Sequence, residues 1–263
     1  MLFKFKKPEI VLDCFTTNST QYEIAKINYG KNFYPEWFKR TPQVGSDGSP
    51  TIKYCQGLTD FYKNAIVIPS WFTAQIVIHP DKTLNFEENF IEVNFSLQGP
   101  NRIDHPSAQY SKFKTNNSKN FKIHNDWIFK TKEKVQFVWS QPTWHKSDIL
   151  SNLHLLPAVI DFKYQHGTNI SWMVSSHGVY KEFYIEPLDP LVVLHPMDNR
   201  KVVIKNHLVD IPEYHRVGAS TVATSTHFLK PGNPKYNRQL NERIIDKVEK
   251  LQCPVHSTDH TKR

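Results

Sequence analysis

Alternation of apolar and polar positions dominates much of the chain and predicts β-strands. Residues 91–97 carry apolar side chains at every second position, which is the pattern of a strand with one buried face. Residues 135–139 repeat this period of two. Short apolar runs separated by Pro, Gly, Asn and Asp continue as far as Ile204. Many short strands joined by turns are typical of antiparallel β-sandwiches and jelly rolls.

Helical spacing appears in three other segments. Residues 20–29 predict a short helix capped by Ser19 or Thr20, and residues 56–64 predict a short amphipathic helix. Towards the end, apolar residues recur on one face of a helix at about 235–251. Strands and helices do not alternate, so a parallel doubly wound sheet is disfavoured. The pattern predicts a mainly β fold: an antiparallel jelly-roll-like β-sandwich with short N-terminal helices and a C-terminal amphipathic helix.

The same pattern predicts two parts of the chain. Residues 1–210 form a single β-sandwich domain with helical elaborations near 20–64. Residues 211–263 form a C-terminal extension with a helix at about 235–251. With 263 residues and 39% hydrophobic content, the chain can bury a sizeable core as one elaborated domain.

Composition narrows the class of protein. Only 9 Gly stand beside 17 Pro, which argues against Gly-rich phosphate loops and nucleotide-binding folds. The 3 Cys are far apart and form no CxxC pair, as expected for free thiols in a reducing compartment. The N-terminal apolar run is too short for a signal peptide, and no run approaches the length of a membrane helix. We therefore expect a protein made in a cytosol, not secreted by a signal peptide and with no membrane partner.

Charge adds a weaker indication. Lys+Arg 33 against Asp+Glu 25 gives a net charge of +8, spread along the chain. Lysines on strand faces and in polar loops explain most of this excess, because they discourage pairing of sheet edges. A mild basic excess also favours contact with polyanions. A polyanion or nucleic-acid binding module is therefore an alternative that is not favoured.

Five phrases, taken together and in this order, carry a resemblance to a known family. They are Phe33-Tyr34-Pro35-Glu36-Trp37-Phe38, Thr51-Ile52-Lys53-Tyr54-Cys55, Asp60-Phe61-Tyr62-Lys63-Asn64, Trp139-Ser140-Gln141-Pro142 and Pro196-Met197-Asp198-Asn199-Arg200. The set resembles an uncharacterised family encoded by marine T-even-like tailed phages, including cyanophages, with bacterial relatives. The resemblance extends from about Leu12 to Val209. It implies a jelly-roll-like β-sandwich and a viral origin, and it transfers no catalytic residues.

An iron site is the clearest enzymatic alternative. Two His and one carboxylate can form the facial triad of a non-haem Fe(II) oxygenase. His124 and Asp126 form a His-x-Asp pair just before a predicted strand, and His195 follows the apolar run 191–194. Lys205 would then pair with a carboxylate of 2-oxoglutarate, in an order and spacing similar to prolyl-hydroxylase-type oxygenases. The chain departs from that family because the Gly-rich stretch between the ligands is missing.

Aromatic and basic residues outside the predicted core are the candidates for binding. Trp139 lies on the apolar face of its strand and is expected in the core. Trp144 follows Pro142 in a predicted loop, and Trp37 lies between Glu36 and two basic residues. Indole rings in such positions can contact proteins, sugars or bases. Trp37, Trp144 and Arg200, which belongs to a basic pair in a predicted turn, are therefore the candidate binding residues.

These features favour a non-enzymatic role. The main hypothesis is a phage structural or interaction module, associated with the virion or with a host molecule, that presents loops 100–120 and 140–152 to protein partners. This hypothesis expects no metal or cofactor and is compatible with a homo-oligomer. It places the protein in the host cytoplasm or the virion. The Fe(II)/2-oxoglutarate oxygenase is the first alternative and the polyanion-binding module is the second.

Overall fold

Strands dominate the described part of the molecule. The computed structural model describes residues 8–80, 91–96, 99–100, 102–104, 118–145, 152–165, 167–175 and 179–218. Within these ranges the helices are short and the strands form several sheets, which confirms the predicted mainly β class. None of the described helices is long and apolar enough to cross a membrane. The helix predicted at 235–251 lies outside the described residues.

Short helices precede most of the strands. The helices are α1 (Ser19–Ile24), α2 (Glu36–Arg40) and α3 (Gln56–Lys63), and 3₁₀ turns occupy Gly30–Phe33 and Ile52–Tyr54. Residues 211–218 are also helical. The strands are β1 (Ile10–Thr16), β2 (Asn28–Tyr29), β3 (Ile66–Pro69), β4 (Ala74–Ile78), β5 (Ile91–Phe95), β6 (Arg102–Asp104), β7 (Ser118–Ile123), β8 (Ile128–Lys130), β9 (Gln136–Ser140), β10 (Leu153–Leu155), β11 (Ala158–Asp161), β12 (Ile170–Ser175), β13 (Lys181–Ile185), β14 (Pro190–Pro196) and β15 (Val202–Leu208).

Four sheets assemble from these strands. Their strand orders are β11-β9-β14-β3-β2, β10-β12-β7-β6, β15-β1-β8 and β13-β4-β5. Among the described strands, neighbours are antiparallel except for β1 and β15, which pair in parallel from Ile10 opposite Val202 to Thr16 opposite Leu208. The antiparallel pattern agrees with the sequence, whereas the parallel pair was not predicted.

One hydrophobic core receives side chains from all four sheets. Leu12, Ile76, Phe121 and Leu194 represent the four sheets in this cluster, and each is at most 1% exposed. Successive side chains of a strand point to opposite faces, so their neighbours lie outside the core. Burial of one such apolar side chain contributes about 1.5–3 kcal/mol. The shared core therefore decides which strand residues remain available for a site.

The segment 30–63, here called the helical layer, covers the outer face of the five-stranded sheet. Val67 and Val193 are buried on that face, where Phe33 and Phe61 pack against them. Because Ile66 and Leu194 enter the main core, β3 and β14 are buried on both faces. Strands covered on both sides are apolar at consecutive positions. This explains the uninterrupted apolar runs that the sequence shows at both strands.

Gly30 allows a close approach inside the helical layer. Its N–H donates to the carbonyl oxygen of Ala65 at 2.8 Å. A Cβ at position 30 would lie 2.8 Å from the Ala65 Cβ and would also collide with the backbone oxygen of Tyr62. The absence of a side chain therefore lets this 3₁₀ turn lie against the end of α3.

The first helix is shorter than its sequence pattern predicted. It ends at Ile24, because residues 28–29 form β2 and pair with β3. Its N-cap is Asn18, whose Oδ1 accepts from the N–H of Gln21 at 3.0 Å, and not Ser19 or Thr20. Asparagine is among the strongest N-cap residues. The prediction at 56–64 is confirmed by α3, which has Leu58 and Tyr62 on its buried face.

Candidate functional site

Trp37 lies on the exposed face of α2, where the helical layer meets solvent. The preceding Pro35 and the C-cap Thr41 confine α2 to five residues. Consecutive side chains of a helix point about 100° apart, so Phe38 is buried while Trp37 remains 40% exposed. The two rings meet edge to face with centroids 5.8 Å apart. Packing thus fixes the base of the Trp37 indole and leaves much of the ring accessible.

Trp144 is exposed and has an unusual backbone conformation. It lies in the loop after β9, and the residue is 47% exposed. Its φ of 76° falls in the left-handed region, which costs a residue with a Cβ roughly 1–2 kcal/mol. Such a conformation persists only where the surroundings hold it, and it is frequent at binding sites. Trp144 is therefore the most informative of the predicted binding residues.

Two hydrogen bonds fasten this loop to the helical layer. The Nε1–H of Trp37 donates to the carbonyl oxygen of Trp144 at 2.7 Å. The hydroxyl of Tyr62 donates to the carbonyl oxygen of Thr143, also at 2.7 Å. Burial raises the pKa of Tyr62, so its hydroxyl stays protonated and able to donate. The exposed side chains of Trp37 and Trp144, together with the backbone of Thr143 and Trp144, are called the Trp37–Trp144 surface below.

Basic groups border this surface. Glu36 is paired with Lys39 at 2.6 Å and lies 3.9 Å from Arg40. The Lys39 ammonium lowers the pKa of Glu36 through this hydrogen bond. The Nζ of Lys53 lies 4.5 Å from the centre of the Phe38 ring and donates to the carbonyl oxygen of Lys39 at 3.2 Å. In the described part of this border, cations therefore outnumber carboxylates.

Arg200 is engaged within the chain. Its Nε and Nη2 each lie 3.0 Å from Asp198 Oδ2, and its Nη1 donates to Glu133 at 2.9 Å. These contacts join the β14–β15 turn to the segment between β8 and β9, and the Arg200 side chain is only 14% exposed. The two carboxylates raise the pKa of Arg200. Arg200 therefore stabilises a turn in this structure and is not included in the proposed surface.

The predicted iron ligands occupy two separate places. The Nδ1–H of His124 donates to Asp126 at 2.8 Å, and this hydrogen bond raises the pKa of His124. Asp126 also accepts from the side chain of Asn18 at 3.2 Å. The Nε2–H of His195 instead donates to the backbone oxygen of Phe61 at 2.8 Å, and the two rings are 4.6 Å apart. Burial lowers the pKa of His195.

Strand alternation explains why the facial triad does not form. On β14, Leu194 enters the core, so His195 faces the helical layer. His124 follows Ile123, the last core residue of β7, on a different sheet. No group of three or more His, Cys, Asp and Glu side chains within the described ranges could hold a metal ion. His124 and Asp126 thus meet without His195, and the cosubstrate role predicted for Lys205 loses its basis.

A cleft beside His124 was not predicted from the sequence. Its volume is about 550 Å³, and Lys122, Asn125, Tyr214 and His215 contribute to its lining together with His124. The hydroxyl of Tyr214 donates to the backbone oxygen of Asp126 at 3.0 Å, which brings the helical segment 211–218 to the cleft. The His-x-Asp pattern indicated His124 and Asp126, which flank Asn125, and not Asn125 itself. No local pattern indicates that residues near 214 approach it.

No protein-family model, curated protein or solved structure matches this chain. A function must therefore be inferred from the side chains that the structure leaves exposed. Of the sequence-predicted binding residues, Trp37 and Trp144 lie together at the surface, whereas Arg200 is paired elsewhere.

Proposed function

We propose that this chain is a non-enzymatic β-sandwich module that binds a protein partner through the Trp37–Trp144 surface. The observation that supports this most is the exposed Trp144, held in a left-handed backbone conformation by its neighbours. Core packing does not require an indole there. Tryptophan is enriched among the few residues that supply most of the binding energy at protein interfaces. Two exposed tryptophans joined by a hydrogen bond are thus best accounted for as a contact site.

The border of the surface indicates the chemistry of the partner. Lys39, Arg40 and Lys53 favour a partner whose apolar pocket is bordered by Asp or Glu, because complementary charges guide association. The hydrogen bonds from Trp37 and Tyr62 order the loop before binding. Less conformational entropy is then lost when the complex forms. The surface is therefore suited to a stable contact.

We further propose a jelly-roll-like arrangement of the sandwich and a phage origin. Four mainly antiparallel sheets around one core are compatible with a jelly roll. The resemblance to the family of marine tailed phages supports the origin, and its first phrase, residues 33–38, includes Trp37. Jelly rolls are common in virion components, an argument from fold-level analogy. We propose the virion as the place where the protein acts and a virion protein as its partner.

The test is incorporation into virus particles. Particles of the phage that carries this gene are purified and analysed by quantitative mass spectrometry, with each variant supplied in place of the wild type. The variants are Trp37→Ala and Trp144→Gly. Tyr180→Ala is the matched control, because Tyr180 is 54% exposed beside β13 on another sheet. Circular dichroism of each purified variant establishes that it is folded.

Wild type and Tyr180→Ala should be present at many copies per particle. Each Trp variant should be depleted by about tenfold or more, because loss of a central interface residue commonly costs at least 2 kcal/mol. Absence of the wild type from particles would contradict the virion role. Equal incorporation of all variants would contradict the surface. Binding of the pure protein to duplex DNA, weakening steeply with salt, would instead support the polyanion alternative.

A further inference from the structure

We infer that the cleft beside β7 binds a small, hydroxyl-rich anion of the sugar phosphate or sugar acid class. The cleft is formed by the end of β7, the starts of β8 and β12, and residues 211–218. Its volume of about 550 Å³ lies within the range of roughly 300–1,000 Å³ that small-molecule sites occupy. This site does not depend on the Trp37–Trp144 surface. Its three supports are a buried unpaired donor, the sign of the lining charges, and the type of the neutral lining groups.

The first support is the side-chain amide of Asn125. This residue lines the cleft although it is only 3% exposed. Its Oδ1 accepts from the N–H of Trp127 at 3.3 Å. Because an N–H group can only meet the amide oxygen, this contact fixes the amide orientation and leaves Nδ2 as the remaining donor. Within the described residues Nδ2 has no hydrogen-bond partner.

A buried donor without an acceptor is unfavourable, and such groups in folded proteins call for a specific explanation. Asn125 is a lining residue of an open cleft, and the proposal assigns the missing acceptor to an oxygen of the bound molecule. A phosphate or carboxylate oxygen is a stronger acceptor than a neutral oxygen. The amide thus favours a ligand that presents an oxyanion.

The second support is the charge of the lining. Lys122, His124 and His215 line the cleft, and no Asp or Glu is among its described lining residues. The carboxylate of Asp126 is close by, but its two oxygens accept from His124 and Asn18. Since the Nδ1 of His124 is engaged in this way, Nε2 is the ring nitrogen left to meet a ligand. Lys122 supplies the positive charge of the lining, and with no Asp or Glu among the described lining residues this charge favours an anion.

The third support is the neutral part of the wall. Its amides and hydroxyls are supplied by Gln165, Thr168, Asn169 and Ser171, whereas Ile128 is the main aliphatic contribution among the described lining residues. Asn and Gln side chains both donate and accept, and so do hydroxyls, which suits a ligand with several hydroxyl groups. A fatty acid or a planar aromatic acid would leave these groups unpaired. The wall therefore points to an anionic sugar.

The experiment is a calorimetric titration of the full chain at constant pH and ionic strength. The probes are glucose 6-phosphate, glucuronate, glucose and inorganic phosphate. The variants are Lys122→Gln, which removes a lining charge, and Asn125→Asp, which replaces the amide donor by an acceptor of similar shape. Lys63→Gln is the matched control, because Lys63 is an exposed lysine at the end of α3, outside the cleft lining.

At least one anionic sugar should bind, and glucose should bind at least about tenfold more weakly, equivalent to about 1.4 kcal/mol. Lys122→Gln and Asn125→Asp should each weaken binding by about tenfold or more, since hydrogen bonds to charged groups are the strong ones. Lys63→Gln should match the wild type. Preference for glucose 6-phosphate over glucuronate, or the reverse, would identify which oxyanion the site takes.

Three results would overturn the proposal. These are no binding of either anionic sugar at millimolar concentration, equal affinity of the wild type and Lys122→Gln, or inorganic phosphate binding as tightly as both sugars. Asn125 is buried, so its substitution can also affect folding, which circular dichroism would reveal. In that case the half-buried Lys122 at the cleft decides the outcome by itself.

Discussion

The Nε1–H of Trp37 donates to the carbonyl oxygen of Trp144 at 2.7 Å, although 107 residues separate them in the sequence. A short helix supplies the donor, and a loop after a core strand supplies the acceptor. The bond couples the helical layer to the loop that follows β9. A net contribution of about 1 kcal/mol is typical of such a bond. Its larger effect is to hold the exposed indole of Trp37 against the backbone of Trp144.

The left-handed backbone at Trp144 predicts that a glycine variant is more stable than an alanine variant at this position. Trp144→Gly and Trp144→Ala both delete the indole and keep the carbonyl that accepts from Trp37. At a φ of 76° the glycine variant should be more stable by about 1 kcal/mol, because only alanine has a strained Cβ. At ordinary positions the preference is the opposite. Urea denaturation of both variants measures the difference, and equal stability would show that no strain is present.

The hydroxyl of Tyr62 should contribute measurably to stability. Tyr62→Phe keeps the buried ring and removes the hydrogen bond to Thr143. The free energy of unfolding should fall by about 1 kcal/mol or somewhat more, because a partly buried acceptor loses its donor. Tyr54→Phe, at a tyrosine that is 62% exposed in the same layer, serves as control and should change stability by less than about 0.5 kcal/mol. If both variants equal the wild type, the Tyr62 bond does not hold the loop.

Two glycines should respond to the same substitution with opposite signs. Gly30→Ala should destabilise the protein by about 1–3 kcal/mol, because its Cβ would collide with the backbone of Tyr62. Gly57→Ala should stabilise it by up to about 1 kcal/mol, because position 57 lies in α3 with open space around its Cβ. Thermal and urea unfolding of both variants measure the signs. A neutral Gly30→Ala would mean that the 3₁₀ turn can move away from α3.

His124 and His195 should titrate on opposite sides of 6.5, the ordinary histidine pKa. The hydrogen bond to Asp126 raises the pKa of His124, so its stabilising effect is present below 6.5 and is lost as pH rises through the raised value. Burial lowers the pKa of His195, so its effect is present above 6.5 and is lost as pH falls through the lowered value.

The direct measurement is an NMR titration of the histidine ring protons, with His124→Gln and His195→Gln for assignment. Relative to the wild type, His124→Gln should lose more stability at pH 5.5 than at pH 8.5. His195→Gln should show the reverse trend. Coincident midpoints would contradict the hydrogen bond to Asp126 as the cause of the raised pKa of His124 and burial as the cause of the lowered pKa of His195.

Local periodicity was sufficient to predict several elements. Val135, Phe137 and Trp139 lie at every second position of the sequence, and all three are buried as expected. Leu58 and Tyr62 lie one helical turn apart and form the buried face of α3. In both cases the decisive information lies within a few neighbouring residues. Burial on one face follows directly from the repeat of the strand or the helix.

Features that depend on distant pairing were not predicted. The apolar run 191–194 indicated β14, but nothing local showed that α3 would cover its outer face and engage His195. Gly, Asn and Asp are the residues that usually adopt a positive φ, and Trp144 is none of these, so its left-handed backbone could not be predicted. Asn125 is the buried residue between His124 and Asp126, and the cleft that it lines is completed by residues near 214. Each of these depends on tertiary packing that a single sequence does not encode in a local pattern.

The parallel pairing of β1 with β15 has a consequence for biosynthesis. Asp13 and His207 contact each other across this pair, and 194 residues separate them. At roughly 5–20 residues per second, a ribosome needs about 10–40 s to make that stretch. Throughout this interval β1 has an unpaired edge, which is a template for association with other chains. Completion of the β15-β1-β8 sheet is thus a late event on the ribosome, and chains that terminate before Val202 are expected to aggregate or to require a chaperone.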